Sequence, residues 1–263
     1  MNVWKKIKGK LPVVVTMCCC VAVAGLSAIV RGGEETAEVS ANASPRRVII
    51  LDAGHGGFDS GCIAVNGAYE KDINLSIVKN LGQLLSFNGY EVIYTRKDDA
   101  ALCDEGVEGI RNQKVSDMEN RLEIIKKYPE SIFLSIHQNQ YTESEYSGAQ
   151  MFYTTRNSGN FRLATLMQQR FSELQTGNDR TPKLIENQLY LFKDTDQQAL
   201  LVECGFLSNP EDTENLCNEE YRKKVAFTIY RGLTDYIAET SAEDVNNKEK
   251  EDNGEAESFL YMQ

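Results

Sequence analysis

The chain has only two histidines in 263 residues, and each follows an apolar run. His55 comes after Val48-Ile49-Ile50-Leu51-Asp52-Ala53-Gly54, and His137 after Ser131-Ile132-Phe133-Leu134-Ser135-Ile136. Glu203 closes a third run, Ala199-Leu200-Leu201-Val202. Two neutral imidazoles and one carboxylate can hold a zinc ion and leave a fourth position for water. Zinc brings the pKa of such a water close to neutrality. A carboxylate outside the ligand set must then accept the water's proton and pass it to a leaving amine. Glu70 is the expected third ligand beside His55 and His137, and Glu203 the expected proton carrier.

Each residue also has a plainer reading. A histidine is more often a hydrogen-bonded structural residue than a ligand. Glu70 alone reads as a solvated carboxylate near a helix N-terminus. Glu203 resists this, because a carboxylate ending a buried apolar run is costly without a partner. Cys204 reads as a small buried hydrophobe, but a thiol near His137 is also a candidate nucleophile, so a thiol hydrolase is a second chemistry. The glycines around His55 (Gly54, Gly56, Gly57) do not follow the spacing of phosphate-binding loops, and no Lys-Ser/Thr pair follows them.

Elements with a definite geometry must position these residues. Val48–Leu51 is β-branched and apolar without alternation, as in a strand buried on both faces of a parallel sheet. A helix is predicted from Asp72 to Asn88, with Ile73, Ile77, Leu81, Leu84 and Leu85 as one stripe and Gly89 as its stop. The strand Glu91–Thr95 completes a βαβ unit with a right-handed crossover. Ser116-Asp117-Met118-Glu119 reads as a capping box opening a helix to about Tyr128. Strands are predicted at Ser131–Ile136, Ala149–Thr154, Leu189–Phe192 and Ala199–Val202. Helices are predicted at Phe161–Leu174 and Glu219–Ile237, with a polar loop at Thr176–Gln188. The fold class is a single α/β domain with a central, mostly parallel twisted sheet and helices on both faces. Such sheets bind ligands at the carboxyl ends of their strands. His55, His137 and Glu203 should converge there, and Glu70 returns to the same edge at the start of the first helix.

The rest of the chain bounds where this chemistry acts. Lys5, Lys6, Lys8 and Lys10 precede the uncharged run Leu11–Val30, which reads as an export signal. Ala22-Val23-Ala24 offers a cleavage site, whereas continuation through Ile29 and Val30 favours an uncut membrane anchor. Residues 31–44 read as a linker, 45–240 as the catalytic domain and 241–263 as an acidic, disordered tail. The folded part is thereby expected outside the cytoplasmic membrane. A net charge of −11 argues against nucleic acid as a partner. None of the seven cysteines forms a Cys-x-x-Cys pair, so a thiolate zinc site is not expected.

Four stretches carry a family resemblance: Asp52-Ala53-Gly54-His55-Gly56-Gly57, Tyr69-Glu70-Lys71-Asp72-Ile73-Asn74-Leu75, Leu134-Ser135-Ile136-His137-Gln138-Asn139, and Leu201-Val202-Glu203-Cys204-Gly205-Phe206-Leu207-Ser208-Asn209-Pro210. In this order they resemble the zinc-dependent N-acetylmuramoyl-L-alanine amidases of bacterial cell walls, the type 3 amidase family. The resemblance spans Arg47 to about Ala238. Four features resemble the germination-specific spore-cortex branch: the short N-terminal anchor, the Asp104-Glu105-Gly106 loop leading to Arg121, the stretch Ser147–Tyr153, and a layout with no added wall-binding repeats. The chain departs from the family pattern at Ala53, where proline is usual, and at Gln138 and Gln140, where small residues are usual. The resemblance implies Zn2+ held by His55, Glu70 and His137, Glu203 as catalytic carboxylate and Asn139 at the substrate. It implies peptidoglycan as substrate and hydrolysis of the amide between the lactyl group of N-acetylmuramic acid and L-alanine. In the spore branch this prepares muramic acid for conversion to muramic δ-lactam. An activating partner protein is a further implication. A catalytically silent wall-binding module is the alternative from another class, and the intact set of ligands plus Glu203 argues against it.

Overall fold

The computed structural model describes residues 47–185 and 189–260, with side chains as far as Ala242. The predicted signal or anchor at 1–30 and the linker at 31–44 lie outside the described residues. Among the described residues no helix is long and apolar enough to cross a membrane.

Six strands form one sheet: β1 (Val48–Ala53), β2 (Glu91–Tyr94), β3 (Ile132–Asn139), β4 (Gln150–Tyr153), β5 (Lys183–Leu184) and β6 (Gln198–Phe206). Their spatial order is β2-β1-β3-β6-β4-β5. All neighbouring pairs are parallel except β4 against β6. The predicted class, α/β with a mostly parallel sheet, is therefore observed. Alternate residues of β1 bury on opposite sides, as the two-residue period of a strand requires. Ile49, Leu51 and Ala53 join a core with helices α1 (Glu70–Phe87), α3 (Asn160–Leu174) and α6 (Glu219–Leu260). Ile50 joins a smaller core with α2 (Ile110–Lys126) and α4 (Tyr190–Lys193). Helices cover both faces, which is why β1 and β3 contain unbroken apolar runs.

α1 buries Ile73, Ile77, Leu81 and Leu85 of its predicted stripe, with Val78 buried where Leu84 stays half-buried, and ends where Gly89 adopts φ +87°. α2 begins six residues before the predicted capping box. Ser116 and Asp117 serve the preceding loop instead: Ser116 Oγ accepts from Asp104 N at 3.0 Å, and Asp117 Oδ1 accepts from Leu102 N at 2.6 Å. The predicted strand Leu189–Phe192 is instead the helical turn α4, whose Leu191 and Phe192 are buried. Apolar runs this short suit either state, and packing of Phe192 on Phe133, with ring centroids 5.4 Å apart, decides it. The expected loop after α3 contains β5. Helix α5 (Pro210–Cys217) is an addition to the prediction, capped by Asn209, whose side chain accepts from Glu211 N and Asp212 N. α6 continues to Leu260, beyond the predicted end near Ile237.

Candidate metal centre

β1 delivers the chain to a loop that places His55 just beyond its carboxyl end. His55 adopts φ +63°, a left-handed conformation that is unfavourable for a side-chain-bearing residue. Two buried arginines hold the loop in that shape. Arg121 Nη2 donates to the His55 carbonyl at 2.7 Å and Nη1 to that of Ala53 at 3.0 Å. Arg96 Nε donates to the Ala53 carbonyl at 2.9 Å and Nη2 to that of Gly54 at 3.1 Å. The charge of Arg121 is balanced by Asp52 and Asp117. Burial works to raise the Asp52 carboxyl, but Arg121, Ser135, His137 and Thr95 lower it to about 2. No sequence signal singled out Arg96. Arg121 was visible only as the residue after the 104–106 loop.

Glu70 is the first residue of α1 and is buried. Its Oε2 lies 3.2 Å from His55 Nε2 and its Oε1 lies 3.0 Å from His137 Nδ1. The backbone N–H groups of Cys62 (2.8 Å) and Gln138 (3.1 Å) and the Asn74 amide (3.2 Å) also donate to this carboxylate. Burial acts to raise its pKa, yet the contacts with His137 and His55 hold it well below the usual carboxylate range. A negative charge is therefore fixed between two imidazoles.

One donor atom from each of His55, Glu70 and His137 lies within 4.8 Å of the other two. Two nitrogens and one oxygen at this spacing fit a single zinc-sized ion. The backbone leaves room for it: a Cβ on Gly54 would overlap the His137 ring, and one on Gly61 would crowd Glu70 and His55. Sequence reasoning missed Asp59, four residues after His55, whose Oδ2 accepts from His55 Nδ1 at 2.9 Å. That bond leaves Nε2 as the ligating atom, the usual arrangement of a carboxylate behind a metal-bound histidine. The signal was present as an acid at i+4 within a glycine loop. Burial acts to lower the His55 pKa, but hydrogen bonds to Asp59 and Glu70 raise it to about 9.

Glu203 lies within β6 rather than at its end, and His137 stands two residues before the end of β3. Only His55 lies beyond its strand. The prediction of three strand-terminal residues is thus corrected, but the convergence holds, because parallel register pairs His137 with Glu203. Glu203 Oε2 is buried and has no hydrogen-bond partner among the described residues. Burial pushes its carboxyl up to about 7, with Glu70 adding to the rise and His137 and His55 opposing it. Glu203, His55 and His137 line a cavity of about 250 Å³ whose apolar wall includes Phe58, Met118, Tyr190 and Leu191. Cys204, one residue on, projects to the opposite side of β6 into the main core. Burial and Glu203 push its thiol far above the ordinary range. The structure therefore disfavours Cys204 as a nucleophile.

Asn139 ends β3, and its Oδ1 accepts from Gln140 N at 2.9 Å. Gln138 is buried beside Glu70, where its Nε2 donates to Asn74 Oδ1 at 3.0 Å. It supports α1 rather than bordering the cavity.

The family model of N-acetylmuramoyl-L-alanine amidases, Amidase_3, matches residues 49–235. The germination-specific N-acetylmuramoyl-L-alanine amidase of Bacillus subtilis (strain 168) is 34% identical over 194 residues, covering 73% of this chain and 81% of the relative. The CwlD amidase from Clostridioides difficile, solved in complex with the GerS lipoprotein, matches with a TM-score of 0.71 at 37% identity, over 73% of this chain and 99% of that one. The catalytic domain of CwlV, an N-acetylmuramoyl-L-alanine amidase from Bacillus (Paenibacillus) polymyxa var. colistinus, matches with a TM-score of 0.62 at 28% identity, over 73% and 98%. With the cluster of His55, Glu70 and His137, the adjoining carboxyl and the sheet that brings them together, these likenesses establish that the chain belongs to the N-acetylmuramoyl-L-alanine amidase family, Amidase_3.

Proposed function

We propose that this enzyme is a zinc-dependent amidase of peptidoglycan, cutting the bond between the lactyl group of N-acetylmuramic acid and L-alanine of the stem peptide. The observation that carries the reading is the donor set of His55, Glu70 and His137 beside a buried, unpartnered Glu203. Those three residues would hold a zinc ion, which would supply Lewis-acid polarisation of the carbonyl and a water acidified to near neutrality. Glu203, with its carboxyl raised to about 7, takes the proton of the attacking water. As the carbon–nitrogen bond breaks, the same carboxyl returns that proton to the leaving alanine nitrogen. The apolar wall of the cavity excludes bulk water and keeps Glu203 poised between its two states. Arg121 and Arg96 keep the His55 loop in place while charge moves. Asn139, at the same sheet edge, is the proposed substrate contact.

The likeness to the germination-specific relative supports a role in spore-cortex maturation, where the cut precedes muramic δ-lactam formation. The relative solved with a lipoprotein supports an activating partner of that kind. The export segment at 11–30 supports action outside the cytoplasmic membrane, with that segment as anchor.

The test is muropeptide mass spectrometry on purified peptidoglycan treated with the zinc-loaded full chain. Stem peptides with new L-alanine amino termini are expected. Glu203→Gln is expected to lose about 10²- to 10⁴-fold in rate while retaining its metal. Binding to peptidoglycan without new amino termini, even with a lipoprotein partner added, would identify a silent wall-binding module instead.

A further inference from the structure

The catalytic cavity has an apolar neighbour along α2. Lys114, Met118 and Tyr190 line that cavity and also line a second groove of about 640 Å³, which Ile110, Arg111 and Val115 complete. Three shared residues set this groove directly beside the space that holds His55, His137 and Glu203. Residues 110, 114 and 118 recur every four positions on α2, and 111 and 115 follow one step on, so all five form one stripe of the helix. The wall they make with Tyr190 is wholly apolar. Ile110 is 68% exposed and Val115 48%, so among the described residues no element covers the stripe. An apolar surface left open at the mouth of a catalytic cavity is a place for a ligand.

Two cations frame the groove. Lys114 and Arg111 lay apolar stems along its wall and carry their charges at its rim. The Lys114 ammonium is paired with Asp59 at 2.9 Å. The Arg111 side chain is exposed and makes no ion pair or hydrogen bond among the described residues, so its five N–H donors remain for a ligand. The chemistry of the substrate decides which part of it fits. At the bond to be cut, the lactyl carboxyl is used up in the amide, so the sugar side is uncharged. The stem peptide carries methyl and methylene groups that suit an apolar wall, and free carboxylates that a guanidinium pairs with in bidentate fashion. From Lys114 to Ile110 the helix rises about 6 Å, close to the span of two extended peptide residues.

We propose that the α2 stripe binds the stem peptide beyond its first alanine, with Ile110 and Val115 against its apolar groups and Arg111 on one of its carboxylates. This rests on the amidase reading above.

The experiment uses the zinc-loaded full chain and two muramoyl peptides, one ending at the first alanine and one carrying three further stem residues. The wild type should favour the longer substrate by about 10- to 100-fold in kcat/KM, chiefly through KM. Arg111→Gln and Ile110→Ser should each raise KM for the longer substrate about 10-fold, with kcat, zinc content and melting temperature held, because both residues are exposed. Arg111→Lys should recover part of the loss. If the wild type cleaves only the longer substrate, the KM of the variants on it decides. Equal cleavage of both substrates by the wild type overturns the proposal and leaves the amidase reading intact. So does an unchanged KM in the variants, or an equal loss on both substrates. A loss confined to a version with a second sugar would put the glycan in the groove and also overturn the proposal. Cleavage of neither substrate overturns both readings.

Discussion

Asp59 shows how one residue outside a ligand set can govern it. Its carboxylate holds the His55 ring through Nδ1 and is itself held by Lys114 Nζ at 2.9 Å. Burial works to raise its pKa, but His55 and Lys114 keep it well below the usual carboxylate range, so it remains an acceptor at any working pH. Removing that charge leaves His55 free to rotate and less basic. Asp59→Asn should weaken zinc binding about 10- to 100-fold, read by competition with a chelating dye. Glu203 behaves in the opposite way: its buried Oε2 has no hydrogen-bond partner among the described residues, and burial raises its carboxyl. Its value lies in the raised pKa that burial gives it.

At the scale of elements, the site depends on a buried brace between β1, β2 and α2. Arg121 of α2 joins Asp52 of β1, and Thr95, just after β2, donates to the same carboxylate at 2.7 Å. Removing one partner of a buried pair leaves the other charge uncompensated, so Arg121→Leu should cost about 3–5 kcal/mol in urea unfolding. The Asp52 carboxyl also gives stability a definite pH dependence. Its folded pKa of about 2 lies below the ordinary 3.8, so its contribution is complete above about pH 4 and is lost as pH falls towards 2. That contribution is about 2 kcal/mol. The stability gap between wild type and Asp52→Asn should therefore shrink as the pH of urea titrations is lowered from 5 to 2. A gap that stays constant over that range would assign the brace to shape rather than charge.

For the whole molecule, the candidate ligands come from three separate parts of the chain: the loop after β1, the start of α1, and β3. A metal ion joining them binds only the folded state, so it must stabilise the domain by mass action. At one hundred times the dissociation constant the gain is about 2.7 kcal/mol. For a domain of this size that corresponds to a rise of about 5–10 °C in melting temperature, reversible by a chelator. A melting temperature unmoved by zinc would mean that the triad does not hold the ion in the native fold.

The sequence by itself was enough for the fold class and for the gathering of His55, Glu70, His137 and Glu203 at one place. Unbroken apolar runs are a strong local signal for buried parallel strands, and polar residues at their ends stand out against them. It also carried the α1 stripe and the glycine that stops it, because both depend only on near neighbours. Other features depended on contacts between distant segments. Ser116 and Asp117 look like a helix start, but they bond to a loop more than ten residues away. Leu189–Phe192 takes its helical turn from the face it packs on. The pairing of His137 with Glu203 is a matter of register between β3 and β6, which no local pattern specifies. Arg96 carries no local signal and Arg121 only a place in the family resemblance, until the tertiary structure sets both under the His55 loop. A charged side chain acquires its role from its partners, and those partners were chosen by the packing of the sheet.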